Sequence, residues 1–169
     1  MRLIATMGAS GISQKHQYIF NGNNYNSELS FLALAEANNI TDIVVIGTEK
    51  SKESIQTILN VNPNIEMVVI ESDNVEDVFQ KSLEYISKDT ILDLTQGYRH
   101  YPMLTLLASI FLQNNASKNI KDIFYAQIVN ENCQAYKESC EYRFTSLIKY
   151  LDLANMARII NTFKKSHQN

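Results

Sequence analysis

Side chains able to do chemistry concentrate in one stretch, Asp93-Leu94-Thr95-Gln96-Gly97-Tyr98-Arg99-His100-Tyr101-Pro102. The apolar residues ahead of it read as a short buried strand, and Pro102 is favoured in the first turn of a helix, where its missing N–H costs nothing. A polar turn between a strand and a helix aims free backbone N–H groups, and the positive end of the helix dipole, at whatever fills the crevice. Thr95 and Gln96 add short-range hydrogen-bonding groups, and Arg99 adds a planar fork suited to phosphate. Thr95, Gln96, Gly97, Tyr98, Arg99 and His100 are therefore candidate ligand-binding residues for an anion. A second candidate is the turn Gly8-Ala9-Ser10-Gly11, whose small side chains let a ligand approach the backbone closely. Asp93, at the strand end, suits holding the loop by accepting its N–H groups better than acting as a base. Plainer roles exist for the rest: Thr95 satisfying loop backbone groups, Ser10 as a small turn residue, Arg99 in a surface ion pair.

The elements that must position these loops follow from apolar periodicity. Residues 2–7 form a first strand. His16 to Asn26 reads as a hairpin turning at Asn21-Gly22, and Ser27 caps a helix to about Asn38 with Leu29, Leu32 and Ala33 inward. Residues 43–47 are apolar on both faces, as a central parallel strand is. A helix to about Asn60, a strand at 65–70 and a helix opening at Asp73-Asn74 come next, then the strand at 91–94. The helix after Pro102 is apolar almost all round, so it is buried on more than one side or faces a second copy of the chain. A strand at 120–128, a polar segment at 129–142 suited to a hairpin or edge strand, and a helix from Phe144 to Lys164 complete the chain, ahead of a polar tail that includes His167.

Strands alternating with helices predict a single domain over residues 1–169. Its fold class is α/β, a Rossmann-like three-layer α/β/α sandwich with a mostly parallel central sheet. In the common 3-2-1-4-5 order of parallel strands, the first and fourth are neighbours, and ligands bind where their outgoing loops diverge. Those loops are residues 8–13 and 95–100.

The 169 residues carry a net charge of −3, which argues against a broad basic surface for long nucleic acid. No apolar run is long enough to span a membrane, and the opening Met1-Arg2-Leu3 leads into a strand rather than a signal peptide. Cys133 and Cys140 are the only cysteines; a disulfide between them is possible but not indicated, and two free thiols in a cytoplasmic protein is the plain reading. No cluster of His, Asp or Glu has metal-ligand spacing, so no metal and no cofactor is expected. The chain also lacks a G-x-G-x-x-G run entering its first helix, which disfavours a dinucleotide enzyme.

Several segments together resemble the CRISPR-associated Rossmann-fold (CARF) proteins of the branch named for a DxTHG motif. They are Leu3-Ile4-Ala5-Thr6-Met7-Gly8, Tyr18-Ile19-Phe20-Asn21-Gly22, Val44-Val45-Ile46-Gly47-Thr48-Glu49, Asp93-Leu94-Thr95-Gln96-Gly97-Tyr98-Arg99 with Tyr101-Pro102-Met103, and Ile123-Phe124-Tyr125-Ala126. Gln96 departs from that branch, which usually carries His there; Gln keeps a donor and an acceptor but does not titrate near neutral pH. The resemblance implies a homodimer that binds a cyclic oligoadenylate messenger of type III CRISPR signalling, cyclic tetra-adenylate being favoured over the hexa-adenylate. A two-fold ring suits a two-fold protein, because each half meets an identical surface. No Arg-x4–6-His ribonuclease motif follows, since Arg158 and His167 stand too far apart. A standalone sensor domain, or one cut from a longer protein, is implied.

Standalone relatives resemble metal-independent ring nucleases, in which a ribose 2′-OH attacks the adjacent phosphate in line. On that resemblance Ser10, Thr95, Gln96 and Arg99 are the catalytic candidates, aligning the 2′-OH and stabilising developing charge. His100 or Lys15 is the candidate to protonate the leaving oxygen, and His16 is expected to face solvent. The alternative is a sensor that binds the same ligand without cleaving it and passes the signal to a partner.

Overall fold

Alternation along the central strands decides the architecture. In β1 (Arg2–Thr6) and β4 (Asp42–Gly47), Leu3, Ala5, Ile43 and Val45 pack into one apolar cluster. Ile4, Val44 and Ile46, the residues between them, pack into another. A sheet apolar on both faces must be covered on both, and the helices do so. The computed structural model that shows this describes residues 1–8, 14–71, 74–97, 100–112 and 115–166.

β5 (Ile65–Val69), β6 (Thr90–Asp93) and β7 (Ile120–Ile128) join β1 and β4. The hairpin strands β2 (His16–Phe20) and β3 (Asn23–Ser27), with β8 (Glu141–Ser146), complete an eight-stranded sheet in the order β3-β2-β8-β7-β6-β1-β4-β5. The five central strands are parallel and take the anticipated order, with β1 between β4 and β6. β8 returns antiparallel to β7, and β2 then pairs parallel to β8. The hairpin turns at Asn21 and Gly22, whose φ values of 49° and 80° are those of a type I′ turn.

On one face lie α1 (Ser30–Asn38) and the short α2 (Glu49–Ser54) and α3 (Gln56–Val61); Phe31, Leu34, Ile55 and Ile58 enter the first cluster. On the other lie α4 (Val75–Tyr85), α5 (His100–Phe111) and α6 (Ile148–Ser166); Val78, Tyr101, Ala108 and Leu151 enter the second. The result is a mostly parallel mixed sheet between two helical layers, compatible with a Rossmann-like sandwich.

Five expectations are corrected. α1 begins at Ser30, because Ser27 ends β3 and its hydroxyl accepts the Leu29 N–H at 3.2 Å instead of capping the helix. The helix expected up to Asn60 is two helices, interrupted at Ile55. α5 opens at His100, which still leaves Pro102 in the first turn, where no intrahelical N–H bond is required. The last helix starts at Ile148 rather than Phe144, because residues 141–146 alternate in exposure and pair as a strand interior to the sheet. Phe144, three and four residues ahead of Leu147 and Ile148, mimicked the start of a helical stripe. Finally, Cys133 and Cys140 are joined in a disulfide rather than free. Antiparallel return from β7 to β8 brings the two ends of that loop together, a consequence of topology that residue counting cannot supply.

α5 and α6 leave apolar side chains uncovered. Met103, Leu107 and Phe111 lie four residues apart along α5 and are 63%, 49% and 68% exposed. Leu153, Met156, Ile160 and Phe163 form a similar exposed stripe on α6. Among the described residues, no helix is long and apolar enough to cross a membrane.

The disulfide closes a short loop and limits the unfolded chain. Replacing both Cys133 and Cys140 by Ser should lower stability by about 2 kcal/mol. Urea denaturation of the oxidised protein and the double variant would measure this, and equal midpoints would refute it.

Candidate functional site

The C-terminal edge of the parallel strands carries the site. β1 and β6 pair there; the chain goes next from β1 to β2, which lies beyond β7 and β8 in the sheet, and from β6 to α5. Asp93, the last residue of β6, is 1% exposed and is the centre of the local hydrogen bonding. Its Oδ1 accepts the Thr95 N–H at 3.0 Å and the Thr95 hydroxyl at 2.5 Å. Its Oδ2 accepts the Ser30 hydroxyl from the first turn of α1 at 2.6 Å. Thr95 Oγ1 in turn accepts the Ala126 N–H of β7 at 2.9 Å. Thr95 thus stitches β6 to β7, and its only hydroxyl proton is committed to Asp93.

On the other side of the turn, the Thr6 hydroxyl at the end of β1 donates to the Gln96 carbonyl. Gly97 follows with φ at +116°, and a Cβ there would stand 2.9 Å from Thr6 Oγ1 and 3.3 Å from Tyr101 Cβ. Only glycine satisfies both the backbone angle and the close approach of β1. The end of β1 and the turn after β6 are therefore pinned to each other.

A cavity of about 490 Å³ opens from this point toward the hairpin, within the size range of small-molecule sites. Thr95 and Gln96 from the turn after β6, and Met7 from the end of β1, line one side. Gln14, His16, Tyr18 and Glu28, from either end of the hairpin, line another. Tyr125 of β7, Tyr136 of the disulfide-closed loop and Tyr142 of β8 complete an aromatic wall. Tyr18 and Tyr142 are stacked, with ring centroids 5.2 Å apart and planes inclined by 19°. Burial pushes both hydroxyls above the usual tyrosine pKa, so they stay protonated donors.

Of the residues singled out from sequence, Thr95 and Gln96 line the cavity. Gly8 is buried directly after β1, and Gly97 holds the turn. His100 begins α5 with its ring edge-on to Tyr101 at 4.7 Å, and it is not among the lining residues. Ala9, Ser10, Gly11, Tyr98 and Arg99 lie outside the described residues. His16 was expected to face solvent; it is 7% exposed and lines the cavity, because the hairpin is drawn into the sheet by β8. Glu28 and the four tyrosines were not anticipated either. Their signal was faint, since aromatic residues in strands usually report only packing. Among the described residues, no three His, Cys, Asp or Glu side chains stand close enough to share a metal ion.

The lining is chemically lopsided. It offers aromatic faces, amides, hydroxyls and one carboxylate, and among the described lining residues there is no Lys or Arg. Aromatic faces with a few convergent polar groups suit a heteroaromatic base and its sugar. Compared with known proteins, the chain matches no family model and no curated protein.

Burial raises the Asp93 pKa, while the bonds from Ser30 and Thr95 oppose the rise. The folded state then holds this proton more tightly than the unfolded chain, so the contribution of Asp93 is fully present below the ordinary value of 3.8 and is lost as pH rises through the raised one. Asp93→Asn, which cannot ionise, should flatten the decline in stability from about pH 4 upward. Asp93→Ala, which strands three donors, should cost about 3 kcal/mol or more. Denaturation across a pH series would test both, and parallel wild-type and Asn curves would contradict the assignment.

Proposed function

We propose that the chain binds a cyclic oligoadenylate, cyclic tetra-adenylate foremost, in type III CRISPR signalling and cleaves it as a metal-independent ring nuclease. The observation that carries this reading is the aromatic cavity at the C-terminal ends of β1 and β6, lined by Thr95 and Gln96 of the turn whose sequence resembles the CARF motif. A cavity of about 490 Å³ takes part of such a ring and not all of it, which agrees with a ligand shared between two protomers.

In this reaction the 2′-oxygen of one ribose forms a bond to the neighbouring phosphorus and loses its proton. The bond from phosphorus to the 5′-oxygen breaks, that oxygen gains a proton, and a 2′,3′-cyclic phosphate and a free 5′-OH remain. The protein's task is alignment and charge stabilisation. Tyrosine faces would hold the bases and the Gln96 amide would bond a phosphate or the 2′-OH; the phosphate contacts of Arg99 and residues 8–11 are those the resemblance implies. Thr95 would act through the loop it secures, since its proton is already donated to Asp93.

A homodimer belongs to the same reading. The exposed stripes of α5 and α6 support it: Met103, Leu107, Phe111, Leu153, Met156, Ile160 and Phe163 are all close to or above half exposed. At about 100 Å² of open surface each, the stripes of α5 and α6 leave about 300 and 400 Å² open, the size of the largest apolar patch on a typical monomer, which is often functional. In the cytoplasm, where the reading sets the chain, the Cys133–Cys140 bond would exchange with the thiol pool.

The first test is incubation with cyclic tetra-adenylate in EDTA, followed by chromatography. Linear products ending in a cyclic phosphate are expected. Intact ligand eluting with the protein would instead leave the sensor reading, and failure to bind either the tetra- or the hexa-adenylate would end both. Separately, Leu107→Glu combined with Phe163→Glu should convert a dimer to a monomer in sedimentation velocity; an unchanged mass would remove these stripes from the interface.

A further inference from the structure

We propose that His16 and Glu28 determine base specificity in this cavity, as a fixed donor and a fixed acceptor that together read the edge of adenine; the proposal rests on the nucleotide reading above. The argument begins with the imidazole. His16 Nδ1 accepts the backbone N–H of Cys140 at 2.9 Å, so that nitrogen carries no proton. A neutral ring so engaged carries its single proton on Nε2. Burial lowers the pKa of His16, which keeps the ring neutral. With Nδ1 occupied by the chain, Nε2–H is the hydrogen-bonding group this cavity-lining ring has for a ligand.

The ring is held firmly. Cys140 is buried, is covalently tied to Cys133, and accepts the Gln17 N–H at 2.9 Å through its carbonyl. Tyr142 meets the imidazole edge-on at 5.5 Å and stacks in turn on Tyr18. A donor fixed beside an aromatic layer is the arrangement by which proteins read unstacked bases, with stacking for affinity and edge hydrogen bonds for identity.

The acceptor follows from strand register. His16 pairs with Ser27 across the hairpin, so Glu28 is the next residue along and lines the same cavity, half-buried. An ionised carboxylate only accepts. Adenine offers the complement of this pair, an unprotonated N1 beside an amine at position 6. Hypoxanthine reverses both, with a proton on N1 and a carbonyl at position 6, and guanine shares that reversal. The pair therefore rejects either base twice, as two facing donors and two facing acceptors, while leaving stacking unchanged.

The test compares binding of cyclic tetra-adenylate with that of the same ring carrying hypoxanthine in place of adenine, by calorimetry on the full chain. Wild type should favour adenine by at least about a hundredfold. His16→Ala and Glu28→Gln should each shrink that ratio by about tenfold or more, and His16→Gln, which restores an amide N–H at the Nε2 position, should recover part of it. A merely structural His16 would lower the melting temperature of His16→Ala and leave the ratio intact; that result, or an unchanged ratio in Glu28→Gln, overturns the proposal. Tight binding of both rings by wild type would overturn it while sparing the proposed function. Binding of neither ring would overturn the two together.

Discussion

A buried carboxylate governs this molecule. Asp93 sits at the end of a central strand, almost wholly removed from water, where an isolated charge costs several kcal/mol. Three hydrogen bonds from Thr95 and Ser30 offset part of that cost, and each fixes a different group. One orients the turn after β6, one locks the Thr95 side chain that bridges to β7, and one holds the first turn of α1 against the sheet. An apolar residue at this position would be easier to bury, but the donors around it would lose their acceptor. The loop geometry at the sheet edge and the buried charge are thus one feature.

The cavity shows how an α/β sheet acquires an aromatic chamber. The parallel strands end at a polar edge, and the hairpin with β8 extends that edge sideways instead of leaving it open. Because β2 runs parallel to β8, the start of the hairpin, not its tip, reaches the edge. His16 and Tyr18 are carried there, and the antiparallel partner β3 returns Glu28 to the same level. The disulfide-closed loop between β7 and β8 then contributes Tyr136 from above. Residues distant in the chain converge because strand register admits no other alignment of their apolar neighbours.

The opposite face has a different logic. α5 is apolar nearly all round, but a helix can bury only one stripe against a sheet. Tyr101, Thr105 and Ala108 take that stripe, and Met103, Leu107 and Phe111 are left outward. α6 repeats the pattern, covered through Leu151 and exposed through Phe163. Solvating so much apolar surface is unfavourable, and this is the ground on which a homodimer is proposed.

The amino-acid sequence by itself determined the layered α/β fold, the order of its parallel strands and the importance of the turn at residues 93–97. Each of these rests on local periodicity or on a residue with a narrow conformational role, as Gly22 and Gly97 illustrate with their positive φ. Asp93 was legible as a loop-holding group for the same reason, since its partner Thr95 lies within the turn, whereas its bond from Ser30 of α1 was not. Only the tertiary structure decided that His16 is buried, that Thr95 has no proton to spare, that Cys133 and Cys140 are joined, and that Tyr142 lies in a strand. These depend on which segments become neighbours across the sheet, and no window of sequence contains both partners of β2 and β8. Side chains acquire their chemistry from what they face, and what they face was set by pairing at long range.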